Sequence, residues 1–152
     1  MFIVEKDGSG LIPQVLSAIL DECVNGVTLA DPDLEDAPIV YANKAFERLT
    51  GYGQEEIIGF NCRFLQGEDR DQEARAQIAE AMKKNEAIEV TLRNYKKDGT
   101  LFHNRLKITP LFDRKHRVIY YLGVQYDISK QVAASNEIKE LHVLVDTLSK
   151  KR

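Results

Sequence analysis

Residues 59–66 read Gly-Phe-Asn-Cys-Arg-Phe-Leu-Gln, and they are the most specific stretch of this sequence. The thiol of Cys62 lies between the amide of Asn61 and the guanidinium of Arg63, and the amide of Gln66 follows four residues after the thiol. A thiol is a nucleophile, amides donate and accept hydrogen bonds, and a guanidinium binds anions. The stretch therefore predicts a site for one phosphorylated ligand, whereas a cysteine without such neighbours is usually a small core residue.

Length and charge predict one globular domain. The 152 residues suffice for a core with a bound cofactor, and the net charge of −3 does not favour nucleic-acid binding. The sequence contains no apolar run of membrane-spanning length and no visible signal peptide at Met1, so we expect a cytoplasmic protein. The two cysteines, Cys23 and Cys62, are then expected to be reduced, and no cysteine–histidine cluster has the spacing of a metal site.

Periodicity and capping residues predict the elements around the stretch. Asn43 is a good N-cap for a helix that Gly51 ends, and Asn85 stops a later helix with early acids and late lysines. The predicted elements are a short arm over 1–10, a helix over 11–23, strands over 27–30 and 39–42, helices over 45–49, 54–58 and about 69–84, three long strands between 88 and 126, and a helix from 129 onward.

Each of the three long strands carries one carboxamide on its inner face. Alternation places Asn94, Asn104 and Gln125 there, on the first, second and third strand respectively. A buried amide without a partner costs about 1–3 kcal/mol, so three of them require an explanation. Each alone could bond to nearby backbone, but three on adjacent strands favour a shared polar ligand. Carboxamides suit the carbonyl–NH–carbonyl edge of a flavin ring, and the apolar remainder of the strands would cover the flat ring.

Three motifs together resemble the flavin site of the light-oxygen-voltage (LOV) branch of the PAS family. They are the octapeptide, Asn-Tyr-Lys-Lys-Asp-Gly at 94–99 and Gly-Val-Gln at 123–125. The resemblance implies an α+β PAS/LOV fold, in which helices on one face of a five-stranded antiparallel sheet enclose a flavin. The chain then divides into an N-terminal arm and helix at 1–24, the LOV core at 25–128, and a C-terminal helix at 129–152.

The resemblance implies a blue-light photoreceptor rather than an enzyme. In this family light excites the bound flavin, and the motif cysteine, here Cys62, adds reversibly to ring carbon C4a while nitrogen N5 becomes protonated. Gln125 matches the glutamine that rearranges when N5 changes from acceptor to donor. Because Gln125 precedes the C-terminal helix closely, the change has a short route outward.

The cofactor that the resemblance implies is FMN, since arginines favour a terminal phosphate. Its predicted binding residues are Asn61, Arg63, Gln66, Arg70, Arg75, Asn94, Asn104 and Gln125. Arg63 matches the first phosphate arginine of the family, and Arg70 and Arg75 fall where some bacterial members carry additional ones. Ala79 stands where the family commonly has arginine, which predicts looser phosphate anchoring and faster dark recovery.

The C-terminal helix predicts an interaction surface. Its apolar residues recur four and three residues apart, as in a coiled-coil seam, at Ala134, Ile138, Leu141, Val145 and Leu148. The pattern is equally consistent with a helix that packs back on its own sheet and with a homodimer formed through the flanking helices and the outer sheet face. For a short bacterial LOV protein, output through dimer geometry or an unknown downstream signalling protein is expected.

Three alternatives stay open on the sequence. The chain could be the LOV fragment of a larger protein, such as a sensor histidine kinase, cut within its signalling helix. It could be a flavin redox protein, against which the motif cysteine argues. It could also be a PAS module that binds its ligand without flavin, which a colourless purified protein would support.

Overall fold

Five strands form one antiparallel sheet, in the order β2-β1-β5-β4-β3. The computed structural model describes residues 14–150, with side-chain surroundings from residue 16 onward. The strands are β1 (Gly26–Ala30), β2 (Ile39–Ala42), β3 (Ile88–Tyr95), β4 (Leu101–Phe112) and β5 (Val118–Asp127). The helices are α1 (Gln14–Asp21), α2 (Lys44–Thr50), α3 (Gln54–Ile57), α4 (Glu73–Lys83) and α5 (Ser129–Lys150), and Cys62–Gln66 forms a 3₁₀ helix. The predicted α+β class and its five-stranded antiparallel sheet are confirmed.

The register of the sheet brings the three predicted amides onto neighbouring strands. Leu92 is opposite Asn104 across β3 and β4, and Leu106 is opposite Gln125 across β4 and β5. Because side chains alternate between the two faces of a sheet, Asn94 shares a face with Leu92. The three amides therefore lie on one face of three adjacent strands.

The first strand of the sheet pairs with the last. β1 lies between β2 and β5, and Thr28 is opposite Gly123 in the register of β1 and β5. The alternation of a strand fixes which of its faces is buried but does not name its partner strand. The sequence pattern therefore predicts both strands without predicting that they adjoin.

The helices between β2 and β3 pack on one face of the sheet through two apolar clusters. The first comprises Ile39, Ala42, Phe46, Ile57 and Leu65, and the second comprises Ala74, Val90, Leu92, Leu106 and Ile108. Full burial of a valine, leucine, isoleucine or phenylalanine side chain in such a cluster contributes about 1.5–3 kcal/mol. As predicted, Asn43 caps α2, accepting from the backbone N–H of Phe46 at 3.0 Å, and Gly51 ends it with a φ of 79°.

Helix α4 begins later than the sequence predicts. The predicted helix starts at about residue 69, but α4 starts at Glu73. Asp69 accepts two hydrogen bonds from the guanidinium of Arg93 on β3, at 2.7 and 2.8 Å, and the amide of Gln72 exchanges hydrogen bonds with the backbone of Arg93. These tertiary contacts hold residues 69–72 against the sheet in a non-helical conformation, which local helix propensity cannot anticipate.

The N-terminal helix is present over Gln14–Asp21. The structure does not describe the first residues of the predicted 11–23 helix, and the predicted arm at 1–10 also lies outside the described residues. Leu16 and Ile19 of α1 are exposed. Within residues 14–150, no helix has both the length and the apolar character that crossing a membrane requires.

The C-terminal helix α5 leaves its apolar seam uncovered. None of its described side chains is buried, and four seam residues are 54–59% exposed: Ile138, Leu141, Val145 and Leu148. Of the two arrangements that the sequence allows, packing back on the sheet is therefore not the one adopted here. On the outer face of β5, Tyr120 is buried, whereas Leu122 and Val124 are half-buried and Tyr126 is exposed.

Candidate functional site

A cavity of about 360 Å³ lies between the sheet and the covering helices. This volume falls within the ~300–1,000 Å³ that small-molecule sites commonly have. Its sheet side is lined by Thr28, Ala30, Ile39, Leu92, Asn94, Asn104, Leu106, Ile108, Tyr121, Gly123 and Gln125. Its other side is lined by Ala37, Asn61, Cys62, Arg63, Leu65, Gln66, Arg75, Ile78, Ala79 and Met82. The structure thus brings all the predicted site residues except Arg70 to one cavity, and their roles toward a flavin stay predictions.

Two asparagines on β3 and β4 form a polar pair at the sheet side. Asn104 Nδ2 donates to Asn94 Oδ1 at 2.9 Å, and Asn94 Nδ2 donates to the carbonyl of Arg93 at 3.0 Å. Both side chains are at most 3% exposed. Asn104 Oδ1 has no hydrogen-bond partner among the described residues. The pair therefore presents one unused acceptor to the cavity.

Gln125 on β5 bonds across the sheet to β1. Its Nε2 donates to Thr28 Oγ1 at 3.0 Å, and Gln125 is only 2% exposed. Gly123 makes room for this contact, since a Cβ at Gly123 would lie 2.6 Å from Thr28 Oγ1 and 3.0 Å from Gln125 Nε2. Thr28 is thus the residue that orients Gln125 in the structure described here.

The 3₁₀ helix places Cys62 and Gln66 on the cavity wall. Asn61 is its N-cap, and its Oδ1 accepts from the backbone N–H of Arg63 at 3.0 Å. Asn61 Nδ2 donates to the carbonyl of Asp36 at 2.7 Å. Both polar atoms of this amide therefore already form hydrogen bonds within the protein. Gln66 is 5% exposed, and its Oε1 has no partner among the described residues.

The surroundings of Cys62 favour a neutral thiol. Desolvation by burial raises the pKa of Cys62, the Arg63 guanidinium lowers this pKa in part, and the Asp36 carboxylate adds a smaller increase. Cys62 still keeps accessible surface because it forms part of the cavity wall. At neutral pH the residue therefore carries both its sulfur and its proton into the cavity.

The predicted arginines differ in where they lie. Arg63 and Arg75 line the cavity, and Arg63 Nη2 also donates to Asp36 Oδ1. Arg75 Nη1 donates to the carbonyl of Arg70 at 2.5 Å. Arg70 does not line the cavity; it is exposed, and its Nε donates to the carbonyl of Gly67 at 2.7 Å. The expectation that Arg70 clamps a phosphate therefore has no support here, because its turn directs it to local backbone.

The unused polar atoms fit the flavin that the resemblance implies. Buried polar groups in folded proteins are almost always hydrogen-bonded, yet Asn104 Oδ1 and Gln66 Oε1 are buried acceptors without partners in the described part of the chain. A ring with alternating carbonyl and N–H groups could satisfy both the acceptor and the donor groups of such amides. Within residues 14–150, no group of three or more His, Cys, Asp or Glu side chains could hold a metal ion.

Sequence reasoning missed two residues of this region. Thr28 belongs to a strand that is otherwise apolar. It lies on the same side of β1 as Ala30, and both residues line the cavity. The alternation of side chains along β1 could have predicted that Thr28 faces the site. Asp36 lies in a turn-rich segment where acids are common, so nothing in the sequence singles out its pairing with Arg63.

Comparison with known proteins identifies the family of this chain. A family model described as PAS domain matches residues 24–130. A blue-light photoreceptor of Listeria monocytogenes serovar 1/2a is 40% identical over 124 residues, which cover 82% of this chain and 49% of that relative. The chain thus spans about half of the length of that protein.

Two solved structures are also similar to this chain. An RNA-binding light-oxygen-voltage receptor aligns with a TM-score of 0.79 and 35% identity, over 96% of this chain and 42% of that one. The LOV domain of the Erythrobacter litoralis EL346 blue-light activated histidine kinase aligns with a TM-score of 0.67 and 40% identity, over 71% of this chain and 99% of that one.

These matches and the fold define the class: the chain belongs to the PAS domain family. Within that family it is a light-oxygen-voltage domain, a sensor module, as its sequence motifs predict. The expectation that the chain does not bind nucleic acid stays a prediction, since one similar structure is an RNA-binding receptor.

Proposed function

We propose that this chain is a blue-light photoreceptor that binds FMN and bonds it reversibly through Cys62. The observation that carries the proposal is that Cys62 and three buried amides, Asn94, Asn104 and Gln125, line one cavity. The similarity to a protein named blue-light photoreceptor supports the same function. The cavity combines a thiol, ring-edge hydrogen-bonding groups and two cationic side chains, which suits a phosphorylated flavin.

A bound flavin supplies the absorption of blue light and an electrophilic ring carbon. Cys62 would supply the nucleophile: with a flavin bound, its sulfur would bond to ring carbon C4a, and it would give its proton to ring nitrogen N5. The raised pKa of Cys62 keeps this proton on the sulfur in the dark. Return of the proton to Cys62 as that bond breaks would restore the thiol, so the cycle would need no external reductant.

Gln125 reports the change at the ring in this proposal. Its amide has both a donor and an acceptor group. If ring nitrogen N5 changed from acceptor to donor, the amide could therefore rearrange and keep a hydrogen bond to it. The backbone then leads from Gln125 into α5, whose first residue, Ser129, accepts at Oγ from the backbone N–H of His103 at 2.8 Å. The N–H of Ile128 donates to the carbonyl of His103 at 2.9 Å. The start of α5 is thus tied to β4 as well as to β5.

FMN is preferred over riboflavin in this proposal because Arg63 and Arg75 line the cavity opposite the sheet. A terminal phosphate is the group of a flavin that a guanidinium binds best. Arg70 is left out of this set, because its Nε is bonded to the carbonyl of Gly67.

Signalling is proposed to pass through a homodimer that uses the flanking helices and the outer sheet face, or through a separate effector protein. The uncovered seam of α5 supports an interaction surface there. A second candidate is the sensor portion of a larger protein such as a histidine kinase. It is favoured by the similarity to the LOV domain of one such kinase, and by the chain spanning 49% of its photoreceptor relative.

The test is an absorption spectrum of the purified chain before, during and after blue illumination. We expect a flavin spectrum that bleaches in light and recovers in the dark. Cys62→Ala should keep the bound flavin but lose the reversible bleaching completely, because no sulfur can bond. Cys23→Ala is the matched control and should behave like the parent, since Cys23 does not line the cavity. A Cys62→Ala variant that still bleaches and recovers would contradict the mechanism.

A further inference from the structure

An opposing charge, the carboxylate of Asp36, lies beside the helix side of the cavity. Among the described residues that line the cavity, the charged ones are Arg63 and Arg75. Arg63 is not free to act alone, because its Nη2 donates to Asp36 Oδ1. The pair is partly open to solvent, with side-chain exposures of 43% for Arg63 and 57% for Asp36. Asp36 thus offsets one of the two cationic groups that could attract a bound anion.

The backbone holds Asp36 in this position. Asp36 and Ala37 have φ values of 65° and 42°, in the left-handed region that non-glycine residues seldom adopt. Asn61 Nδ2 donates to the carbonyl of Asp36 at 2.7 Å and to that of Ala37 at 3.5 Å. Asn61 also caps the 3₁₀ helix that carries Cys62 and Arg63. The placement of Asp36 beside Arg63 is therefore fixed by contacts with the residue that caps the 3₁₀ helix and does not depend on charge attraction alone.

We propose that Asp36 is a specificity-determining residue, whose carboxylate competes with the phosphate of the flavin for Arg63 and so reduces the preference for FMN over riboflavin. The inference rests on the proposed function, because it requires a flavin in this cavity. A phosphate placed on the Arg63 guanidinium comes close to the Asp36 carboxylate, and like charges at short range repel. Riboflavin has no phosphate and leaves the Arg63–Asp36 pair undisturbed.

Helix α4, on the same side of the cavity, does not compensate for this competition. Ala79 of α4 lines the cavity and carries no charge, so Arg75 is the cation that α4 contributes to the wall. Arg75 in turn donates to the carbonyl of Arg70 at 2.5 Å, a contact that a phosphate would share rather than remove. Because Arg63 is one of two cationic side chains described at the cavity, its pairing with Asp36 should affect phosphate binding strongly.

The test is a competition between the two flavins on the full chain. Protein is equilibrated with an equimolar excess of FMN and riboflavin, unbound flavin is removed, and the bound flavins are separated and quantified. The ratio of bound FMN to bound riboflavin reports the ratio of their affinities directly. We expect Asp36→Asn to raise this ratio by about fivefold at low ionic strength, and by less in high salt, which screens the partly exposed charges. Asparagine is chosen because it also tolerates the left-handed backbone at this position.

Two further variants separate the proposed contact from a general charge effect. Glu35→Gln removes an exposed acid one residue earlier in the same loop and should leave the ratio unchanged. In an Arg63→Gln background, Asp36→Asn should raise the ratio clearly less than in the parent, because the group for which Asp36 competes is gone and only weak repulsion of the phosphate remains.

The outcomes distinguish the inference from the function on which it rests. Parent and Asp36→Asn proteins with equal ratios would overturn the inference, as would an equal rise in Glu35→Gln. An Asp36→Asn protein that loses all flavin while the parent retains it would also overturn it, since Asp36 would then support the fold of the site. A parent chain that retains neither flavin would instead contradict the proposed function.

Discussion

Gly123 is the single residue that lets Thr28 and Gln125 meet at the cavity wall. A Cβ at Gly123 would lie 2.6 Å from Thr28 Oγ1, closer than real contacts allow. Gly123→Ala should therefore displace one of the two side chains and break their hydrogen bond. A displaced Gln125 would lose its own hydrogen bond to the flavin ring, which is worth about 0.5–1.5 kcal/mol, so we expect flavin affinity to fall by up to about tenfold. Titration of the variant with flavin, followed by fluorescence, measures the change.

The control for this prediction is Gly53→Ala. Gly53 has a φ of −89°, and the nearest heavy atom to its added Cβ would be 3.9 Å away, so the substitution meets no obstacle. It should bind flavin as the parent does. If Gly123→Ala binds flavin with parental affinity, the Thr28–Gln125 contact is not required for the site.

At the scale of elements, Asn43 joins α1, β1 and α2. Its Oδ1 accepts from the backbone N–H groups of Val27 at 2.8 Å and Phe46 at 3.0 Å. Its Nδ2 donates to the carbonyls of Leu20 at 2.8 Å and Asn25 at 3.1 Å, and the residue is fully buried. One side chain thus caps a helix and connects the N-terminal helix to the core.

Asn43→Ala should therefore destabilise the protein strongly. Loss of a helix cap costs about 1 kcal/mol, and backbone groups left unsatisfied add about 1–3 kcal/mol. We expect the free energy of unfolding, measured in urea, to fall by about 2–4 kcal/mol. Asn136→Ala, on the exposed surface of α5, is the control and should change it by less than about 0.5 kcal/mol. Similar small effects from both substitutions would show that Asn43 does not connect these elements.

The turn before α4 depends on an ion pair with β3. Asp69 accepts from Arg93 at 2.7 and 2.8 Å and from the Tyr95 hydroxyl at 2.7 Å. These hydrogen bonds, those from Arg93 first, lower the pKa of Asp69 from 3.8 to about 2. Because the pKa is lower in the folded state, the contribution of Asp69 to stability is complete well above pH 4 and is lost as pH falls through about 2.

Asp69→Asn should accordingly destabilise the chain most at neutral pH. The difference in unfolding free energy between parent and variant should stay constant down to about pH 5 and shrink between about pH 4 and pH 2. Urea unfolding at several pH values measures this difference. Glu68→Gln, at the exposed neighbouring position, serves as control and should show no such pH profile. A difference that grows on acidification would contradict the role given to this ion pair.

At the scale of the whole molecule, α5 carries an apolar seam that nothing in the monomer covers among the described residues. Its seam places β-branched Ile138 and Val145 at one heptad position and Leu141 and Leu148 at the other, a combination that favours two-stranded parallel coiled coils. All four are more than half exposed. A second copy of this chain is therefore the proposed partner of the seam.

Leu141→Lys should convert the proposed dimer to a monomer, because a lysine at the seam would place a charge in the apolar interface. Light scattering coupled to size exclusion measures the change as a halving of the molar mass. Val143→Lys is the control, since Val143 lies on the opposite side of α5 and is 65% exposed. It should leave the mass unchanged. A parent chain that is already monomeric in both dark and light would refute the proposed dimer.

Much of the site could be predicted from local patterns. Alternation put Asn94, Asn104 and Gln125 on inner faces, and the motif marked Cys62; the structure brings these residues to one cavity. The prediction for Arg70 lacks this support, because a charged residue in a turn can face a ligand or the local backbone without any change in pattern. In the fold, the strands and the capped helix α2 were predicted, whereas the 3₁₀ helix was not.

The sequence by itself determined most of the strands and helices and the family, and it singled out Cys62, because each depends on patterns within short stretches of the chain. Only the tertiary structure decided that β1 pairs with β5, that Thr28 meets Gln125, and that Asp36 holds Arg63. The physical reason is that these contacts join residues far apart in the chain. Their formation depends on strand partners, on register and on the space left by Gly123, and local propensity specifies none of these.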